Sequence, residues 1–395
     1  MNGQGSQISV LTAGRDRPYA LGLAAALTAA GVPFDFVGSN EVDSPELHTS
    51  PQVRFLNLRG DQSKEAGLVS KVVRVLTYYF RLLRYATTAE PKVFHILWNN
   101  KFELFDRTLL MLFYKMLGKK IVFTAHNVNA GARDANDSWL NRATLKFQYQ
   151  RCDHVFLHTE KMKAELVAGY DFPASKASVI PFGINSTVPN TTLTKAEARR
   201  RLGIGQGEKV LLFFGNIAPY KGVEFLVEAF IEVARHDLGC RLIIAGRPKG
   251  SEEYWAGVLA KINASPVRDQ VLLKIEFVPD AETEIYFKAA DALVLPYTHV
   301  FQSGVLFLGY NFGLPVLAAD VGSLKEDILE GQTGCVFPPG DSAALARTIQ
   351  TFFAGELFKN LDARRKAIQT YANDRYSWTK VAAITTKVYA ELMSR

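Results

Sequence analysis

Short apolar runs of strand length recur along the chain, each closed by a glycine or a polar turn and followed by a longer stretch with helical spacing. In the first half the runs are QISVLTAG from Gln7, VPFDFVG from Val32, KVFHILW from Lys92, KKIVFTAH from Lys119 and DHVFLHT from Asp153. A second series begins after PFGIN, with KVLLFFGN from Lys209, RLIIAGR from Arg241, VLLKIEFV from Val271, DALVLPY from Asp291, LPVLAA from Leu314 and GCVFPP from Gly334. Amphipathic stretches such as VEFLVEAFIEVARH separate them. Strands alternating with helices imply parallel, doubly wound sheets whose ligands bind beyond the strand C-termini. The chain therefore reads as α/β, with two Rossmann-like domains joined by the polar segment INSTVPNTTLT. Residues 1–187 form the first, 188–372 the second, and 373–395 a final helix placed to pack back across the junction.

Ala292 to Ala319 carries no Asp, Glu, Lys or Arg and is long enough to suggest a membrane span. Pro296, Gln302, Gly304, Asn311, Gly313 and Pro315 break it repeatedly, and strands buried under helices on both faces give the same uncharged pattern. The expectation is strand, Gly-containing loop, short helix from Gly304 to Phe312, then strand. A helix start of this kind offers backbone N–H groups and a dipole to a phosphate.

At 395 residues, with 48% hydrophobic and 22% charged positions, both domains can hold full cores. Cys152, Cys240 and Cys335 lie far apart, so neither a disulfide framework nor a zinc cluster is indicated, and a reducing cytoplasm is expected. MNGQGSQISVLTAG shows no basic segment before an apolar core, so no secretory signal is expected. The net charge of +7 is uneven: residues 1–190 hold 22 Lys/Arg against 16 Asp/Glu, the remainder 24 against 23. The first half is thus the one suited to an anionic partner. In Lys71 to Ala86 the cations Lys71, Arg74, Arg81 and Arg84 share an arc of a helix opposite Val, Leu, Tyr and Phe, a pattern fitting either an anionic membrane surface or an ordinary half-buried helix. No compact basic motif points to nucleic acid.

Four loops carry candidate chemistry. In FFGNIAPYKG, Gly215 and Gly222 allow close backbone approach, and Lys221 stands just before a helix as a point charge for a diphosphate. Gln302-Ser303-Gly304 opens the uncharged helix on the same sheet. In KKIVFTAHNVNAGARD, His126 ends a strand and starts a polar loop, with Asn127, Asn129, Arg133 and Asp134 following as candidates for acceptor hydroxyls. The first turn, LTAGRDRPYA, offers Gly14 for close approach and Arg15 or Arg17 for an acceptor phosphate, and it lacks the GxGxxG of a dinucleotide-binding dehydrogenase.

Gly215 to Gly222, AGR ending at Arg247, FVPD from Phe277 to Asp280, ALVLPY and GLPVLAADVGSLKE together resemble the C-terminal domain of family 4 glycosyltransferases, the glycosyl transferases group 1 of GT-B fold. The resemblance covers most of residues 205–350. It implies two Rossmann-like domains facing a cleft, with a nucleoside diphosphate in the second. Lys221 would hold the diphosphate, Phe277 and Val278 would meet the base, and His126 would face the donor sugar. Gly322, Ser323 and Glu326 match the family's Gly-Gly loop and the helix after it. It further implies retention at the transferred sugar and an acceptor held as an oligosaccharide or lipid-linked saccharide. The family's two glutamates are Val300 and Leu308 here, and its arginine after the first glycine is Asn216. Gln302 and Ser303, with His299, are the expected substitutes for sugar contacts, and Arg247 for the missing charge.

No Asp-x-Asp motif and no clustered His/Cys set suggests a metal, and no cofactor beyond the nucleotide sugar itself is expected. The expected product is a surface polysaccharide or glycoconjugate, and the expected place is the cytoplasm, peripheral on the inner membrane face. A sugar-nucleotide epimerase or phosphorylase on the same architecture stays open, as does a non-catalytic sugar-nucleotide-binding relative, which Val300 and Leu308 motivate.

Overall fold

The computed structural model describes residues 6–14, 16–62, 67–129, 131, 137–184 and 188–394. It divides into two units, Met1–Gly183 with Tyr376–Arg395, and Ile184–Arg375.

The first unit is built on a seven-stranded parallel sheet. Its strands are β1 (Ile8–Leu11), β2 (Phe34–Gly38), β3 (Val53–Asn57), β4 (Val93–Ile96), β5 (Lys120–Thr124), β6 (His154–Leu157) and β7 (Ala177–Val179), in the order β3-β2-β1-β4-β5-β6-β7. β1 lies between β2 and β4, with Ile8 opposite Val93 and Leu11 opposite Ile96. The order reverses between β1 and β4, so the crevice for a ligand opens beyond Leu11 and Ile96. β1, β4 and β6 are buried at every position, as strands covered on both faces must be. At the edge β3 is buried nowhere along its length, and β7 has only three residues.

The final helix, Trp378–Met393, belongs to this first unit. It buries Val381, Val388, Tyr389 and Leu392 in the cluster formed by Ile8, Val10, Leu23, Leu27, Phe34 and Phe36. Its first residue decides two glycines, because a Cβ on Gly22 or Gly183 would lie 2.1 or 2.5 Å from the Trp378 ring.

The second unit carries a six-stranded parallel sheet of β8 (Lys209–Phe214), β9 (Cys240–Ala245), β10 (Val271–Lys274), β11 (Ala292–Leu295), β12 (Val316–Ala319) and β13 (Gly334–Phe337), ordered β10-β9-β8-β11-β12-β13. Here the order reverses between β8 and β11. The uncharged stretch resolves into β11, the helix Gly304–Asn311 and β12, all buried strand or short helix. No described helix is long and apolar enough to cross a membrane. Asp291 anchors the switch point: 1% exposed, it accepts from Val210 N at 2.8 Å, Lys195 Nζ at 2.7 Å and Arg199 Nη2 at 2.9 Å. One buried carboxylate thereby pins the start of β11 to β8.

Candidate functional site

In the second unit three loops leave the C-terminal ends of β8, β11 and β12 and bind to one another. The loop after β8 runs through Gly215, at φ 110°, to a short turn Pro219–Lys221 and Gly222 at φ 62°. A Cβ on Gly222 would sit 2.0 Å from Pro296 O, so only glycine lets the first loop lie against the backbone after β11. Thr298 N donates to Tyr220 O at 2.9 Å and closes that contact. On the other side a Cβ at Gly322 would fall 2.0 Å from Val300 O, and Ser323 N donates to Phe301 O at 2.9 Å.

Lys221 and Ser303 meet on one tyrosine. Lys221, 8% exposed, places Nζ 3.8 Å from the centroid of the Tyr297 ring, and the Tyr297 hydroxyl lies 3.3 Å from Ser303 Oγ. Burial pushes the Tyr297 phenol up, so it stays protonated, and a cation over its face gains from the ring quadrupole. Ser303 makes no side-chain cap on the helix Gly304–Asn311, whose first N–H groups have no partner within the helix. A cation and a helix start thus stand together at one switch point, an arrangement whose chemistry suits an anion.

Two further side chains hold polar atoms that the described residues leave unmatched. Gln302 Oε1 and Arg247 Nε are buried with no hydrogen-bond partner among them, an uncommon state for native side chains unless a ligand or water completes it. Arg247 stands beside Gly246, whose Cβ would overlap Gly215 O at 1.8 Å, and its guanidinium lies 5.4 Å from the ring of Phe277. Phe277 is 61% exposed while Val278 is buried. Asn216 is exposed. Leu308 is buried, and Val300 contributes its carbonyl to the packing against Gly322. Glu326 is exposed on the short helix Leu324–Asp327; the acid tied into the loop is Asp327, which accepts from Ser323 Oγ at 3.2 Å.

In the first unit His126 follows β5 and is boxed by aromatic rings. Trp98 stacks on it at 4.3 Å, Tyr19 meets it edge-on at 4.6 Å, and His158 Nε2 lies 3.1 Å from His126 Nδ1. Burial holds His126 well below the usual histidine range, with His158 and His95 adding to the effect. Burial also lowers His158 to about 4. Both rings are therefore neutral near pH 7, and their tautomers follow from the hydrogen bonds. His158 Nδ1, 3.3 Å from Ile180 O, carries the proton that the carbonyl accepts. His158 Nε2 then accepts from His126 Nδ1, which leaves His126 Nε2 as a bare acceptor. That atom is buried and has no partner among the described residues. It suits a hydroxyl, not an anion.

The turn after β1 combines Ala13 at φ 51°, Gly14 at φ 64° and Asp16 at φ 43°. Left-handed conformation at Ala13 and Asp16 costs roughly 1 kcal/mol each. Compensation comes from Asp16, which caps the helix Arg17–Ala29 by accepting from Tyr19 N, and from Arg59 Nη1, which donates to Ala13 O. Arg17 is exposed at the helix start, and Asn127 is half-buried. Asn129 is engaged by Asn141 Nδ2 at 2.9 Å. Arg15, Arg133 and Asp134 lie outside the described residues. His158, Trp98 and Arg59 escaped sequence reasoning because they lie just beyond strands, and Tyr19 because it lies in the helix Arg17–Ala29, so all four read as ordinary core or surface positions. The His158 in HVFLHT repeats the His126 placement at the end of a neighbouring strand, and that repetition was the available signal.

Two family descriptions match this chain: Glycosyltransferase Family 4 over residues 18–188 and Glycosyl transferases group 1 over residues 208–354. Among curated relatives, the D-inositol 3-phosphate glycosyltransferase of Corynebacterium efficiens is 25% identical over 69% of this chain and 65% of its own length. That of Streptomyces scabiei is 31% identical over 61% and 54%. The chain thus spans somewhat under two thirds of the length of the relatives it matches. Among solved structures, sucrose-phosphate synthase from Thermosynechococcus elongatus shares the fold with a TM-score of 0.77 at 19% identity, covering 98% of this chain and 99% of that one. HepE of Anabaena, in complex with UDP and glucose, gives 0.72 at 16% identity over 97% and 99%.

Proposed function

The chain belongs to the glycosyl transferases group 1 family, with the two parallel-sheet α/β domains of the GT-B class, and on that premise we propose that it moves a sugar from a nucleotide-sugar donor to a saccharide or lipid-linked saccharide acceptor. The observation that carries the proposal is the meeting of Lys221, Tyr297 and Ser303 at the switch point of the second sheet. The complex of HepE with UDP and glucose supports a nucleotide sugar as the donor class.

As the glycosidic bond breaks, negative charge builds on the leaving diphosphate. Lys221 Nζ and the N-terminus of the helix Gly304–Asn311 are fixed before that charge appears, so they stabilise it with little reorganisation. These groups supply the neutralisation that a metal would otherwise give, and transfer is proposed to be metal-independent. Arg247 adds positive charge on the base side, over Phe277. Gln302 Oε1 accepts a sugar hydroxyl in place of one missing glutamate, and in the first unit His126 Nε2 is an acceptor for a hydroxyl. A neutral His126 is a positioning acceptor in this scheme. Retention, which the family resemblance implies, would have the incoming hydroxyl attack from the leaving-group side, since Val300 and Leu308 offer no carboxylate for a double displacement. The product is a surface polysaccharide or glycoconjugate made at the cytoplasmic face.

A thermal-shift panel of nucleoside diphosphates and their sugars, followed by turnover with and without saccharide acceptors, tests this. The proposal expects a raised melting point with one base and acceptor-dependent release of the diphosphate. Turnover without acceptor favours an epimerase, dependence on inorganic phosphate favours a phosphorylase, and binding with no turnover favours a non-catalytic sugar-nucleotide binder.

A further inference from the structure

A five-residue π-helical turn, Asp106–Leu110, interrupts the helix that runs from Glu103 to Met116 in the first unit. Such turns are rare and are frequent at functional sites. Asp106 opens this one and is 3% exposed. Its Oδ1 accepts from Tyr79 OH at 2.9 Å and from Asn100 Nδ2 at 3.2 Å, and Asn100 Oδ1 accepts from Tyr78 OH at 2.7 Å. The carboxylate is thereby held in one orientation, yet its Oδ2 has no hydrogen-bond partner among the described residues. Further along the same helix Tyr114 is 1% exposed, and its hydroxyl is likewise unmatched. Burial raises the Asp106 carboxyl, with the bonds from Asn100 and Tyr79 pulling the other way. Burial also holds the Tyr114 phenol well above its usual range, so it keeps its proton to donate.

Both groups line one pocket at the switch point of the first sheet, where Leu11 and Ile96, the last residues of β1 and β4, line it too. Every lining residue is buried except Trp98 and Asn99, which are half-buried and mark its mouth. The free volume is about 20 Å³, enough for one water-sized group and too little for a sugar ring. No Lys or Arg lines it; Arg59 stands over the Tyr78 ring at 4.9 Å and donates to Ala13 O. One carboxylate oxygen and one phenol thus face a space the size of a hydroxyl, a group able to donate to the first and accept from the second. Burying an unmatched carboxylate oxygen is unfavourable, so the missing partner is a group that arrives with a ligand. Trp98 joins this pocket to His126, on which its ring stacks at 4.3 Å.

We propose that the pocket takes one non-reacting hydroxyl of the saccharide acceptor, which donates to Asp106 Oδ2 and is met by the Tyr114 hydroxyl, while the rest of the acceptor lies at the mouth against Trp98. Asp106 and Tyr114 are then specificity-determining residues. They require a free hydroxyl at one position of the acceptor and refuse a phosphate there, which is too large and finds no cation in the lining. This pocket deepens the function proposed above by naming a group the acceptor must carry, and rests on that function for the acceptor being a saccharide.

Two readouts test it. Polar atoms kept for a substrate contribute little to the fold, so without ligand Tyr114→Phe should melt within about 3 °C of wild type or higher. The same holds for Asp106→Asn, which retains an acceptor for Asn100 and Tyr79. A fall of more than about 3 °C in either variant would mark a structural group bridged by a permanent water and overturn the proposal. The second readout is release of nucleoside diphosphate from the donor with the methyl α-glycosides of glucose, mannose and galactose and with myo-inositol, each also as monodeoxy and monophosphate derivatives. For the best of these, removing one hydroxyl other than the one glycosylated should lower kcat/KM at least about 100-fold, and phosphorylating that hydroxyl should stop turnover. Asp106→Asn should lower kcat/KM for the parent compound at least about tenfold and shrink the deoxy penalty by a similar factor. Equal deoxy penalties in wild type and Asp106→Asn, a phosphate tolerated at that position, or no turnover of any compound by a protein whose melting point the donor raises would each overturn it. The donor shift separates the two readings, because it depends on the second unit: its absence counts against the nucleotide-sugar function itself, and its presence beside failed acceptor tests counts against this pocket alone.

Discussion

The Arg199–Asp291 pair is the contact whose loss should most clearly loosen the strands that carry Lys221 and Ser303. Both residues are 1% exposed. Arg199 donates through Nε to Ala289 O at 3.1 Å, through Nη1 to Gln206 O at 2.6 Å and through Nη2 to Asp291 Oδ2 at 2.9 Å. Arg199→Met fills similar volume but removes the donors to Ala289 O and Gln206 O and one of the two donors to Asp291 Oδ2, leaving the buried carboxylate Val210 N on Oδ2 and Lys195 on Oδ1. Breaking a buried pair in this way costs about 3–5 kcal/mol. In native-state hydrogen exchange, that loss should speed the β8 and β11 amides by about 10²- to 5 × 10³-fold. Adding Asp291→Asn keeps an acceptor for Val210 N and removes a buried charge that has lost one of its two cations, so the double variant should exchange more slowly than the single one. Exchange in Arg199→Met within about threefold of wild type, or a double variant no slower than the single, would refute the reasoning that this pair locks the switch point.

Two other outcomes are expected. His95, His126 and His158 are all held neutral by burial, His95 to about 3 and His158 to about 4, so their folded values lie below the unfolded one. The unfolded chain therefore takes up protons first as pH falls, and stability present above about pH 6.5 should decline through the range down to about 4; urea midpoints that stay flat from pH 7.5 to 4.5 would contradict this. Gly246→Ala puts a Cβ 1.8 Å from Gly215 O at φ 148°, backbone against backbone, and should abolish nucleotide-induced stabilisation in a thermal-shift assay, whereas an unchanged shift would show that the β8 and β9 loops need not touch.

The interior of both sheets was legible because buried parallel strands read as continuous apolar runs, and all six strands of the second sheet follow from such runs. β3 and β7 were not, because VRFLN is half solvated and ASV is three residues long, so neither carries an uninterrupted apolar signal. The loop residues Gly215, Lys221, Gly222 and Ser303 were visible through glycines at strand ends. Tyr297, which joins Lys221 to Ser303, was hidden as the last letter of ALVLPY and reads as core. The His126–His158 relay and the Arg59 support of the first turn depend on strand order, which puts residues 32 and 46 positions apart side by side. In the helix Leu68–Thr88 the outward stripe of Val69, Val72, Val73, Leu76 and Phe80 was masked by a period that the inward tyrosines share, and only burial separates the two arcs.

The central claim is that the second unit grips a diphosphate through Lys221, and calorimetric titration with a nucleoside diphosphate and the matching monophosphate measures it directly. A charge-assisted contact to the terminal phosphate is worth about 1.5–3 kcal/mol, so the diphosphate should bind about 10- to 100-fold tighter than the monophosphate, and Lys221→Ala should bring the two affinities together. Equal affinities in the wild type, or a preference that survives Lys221→Ala, would contradict the account.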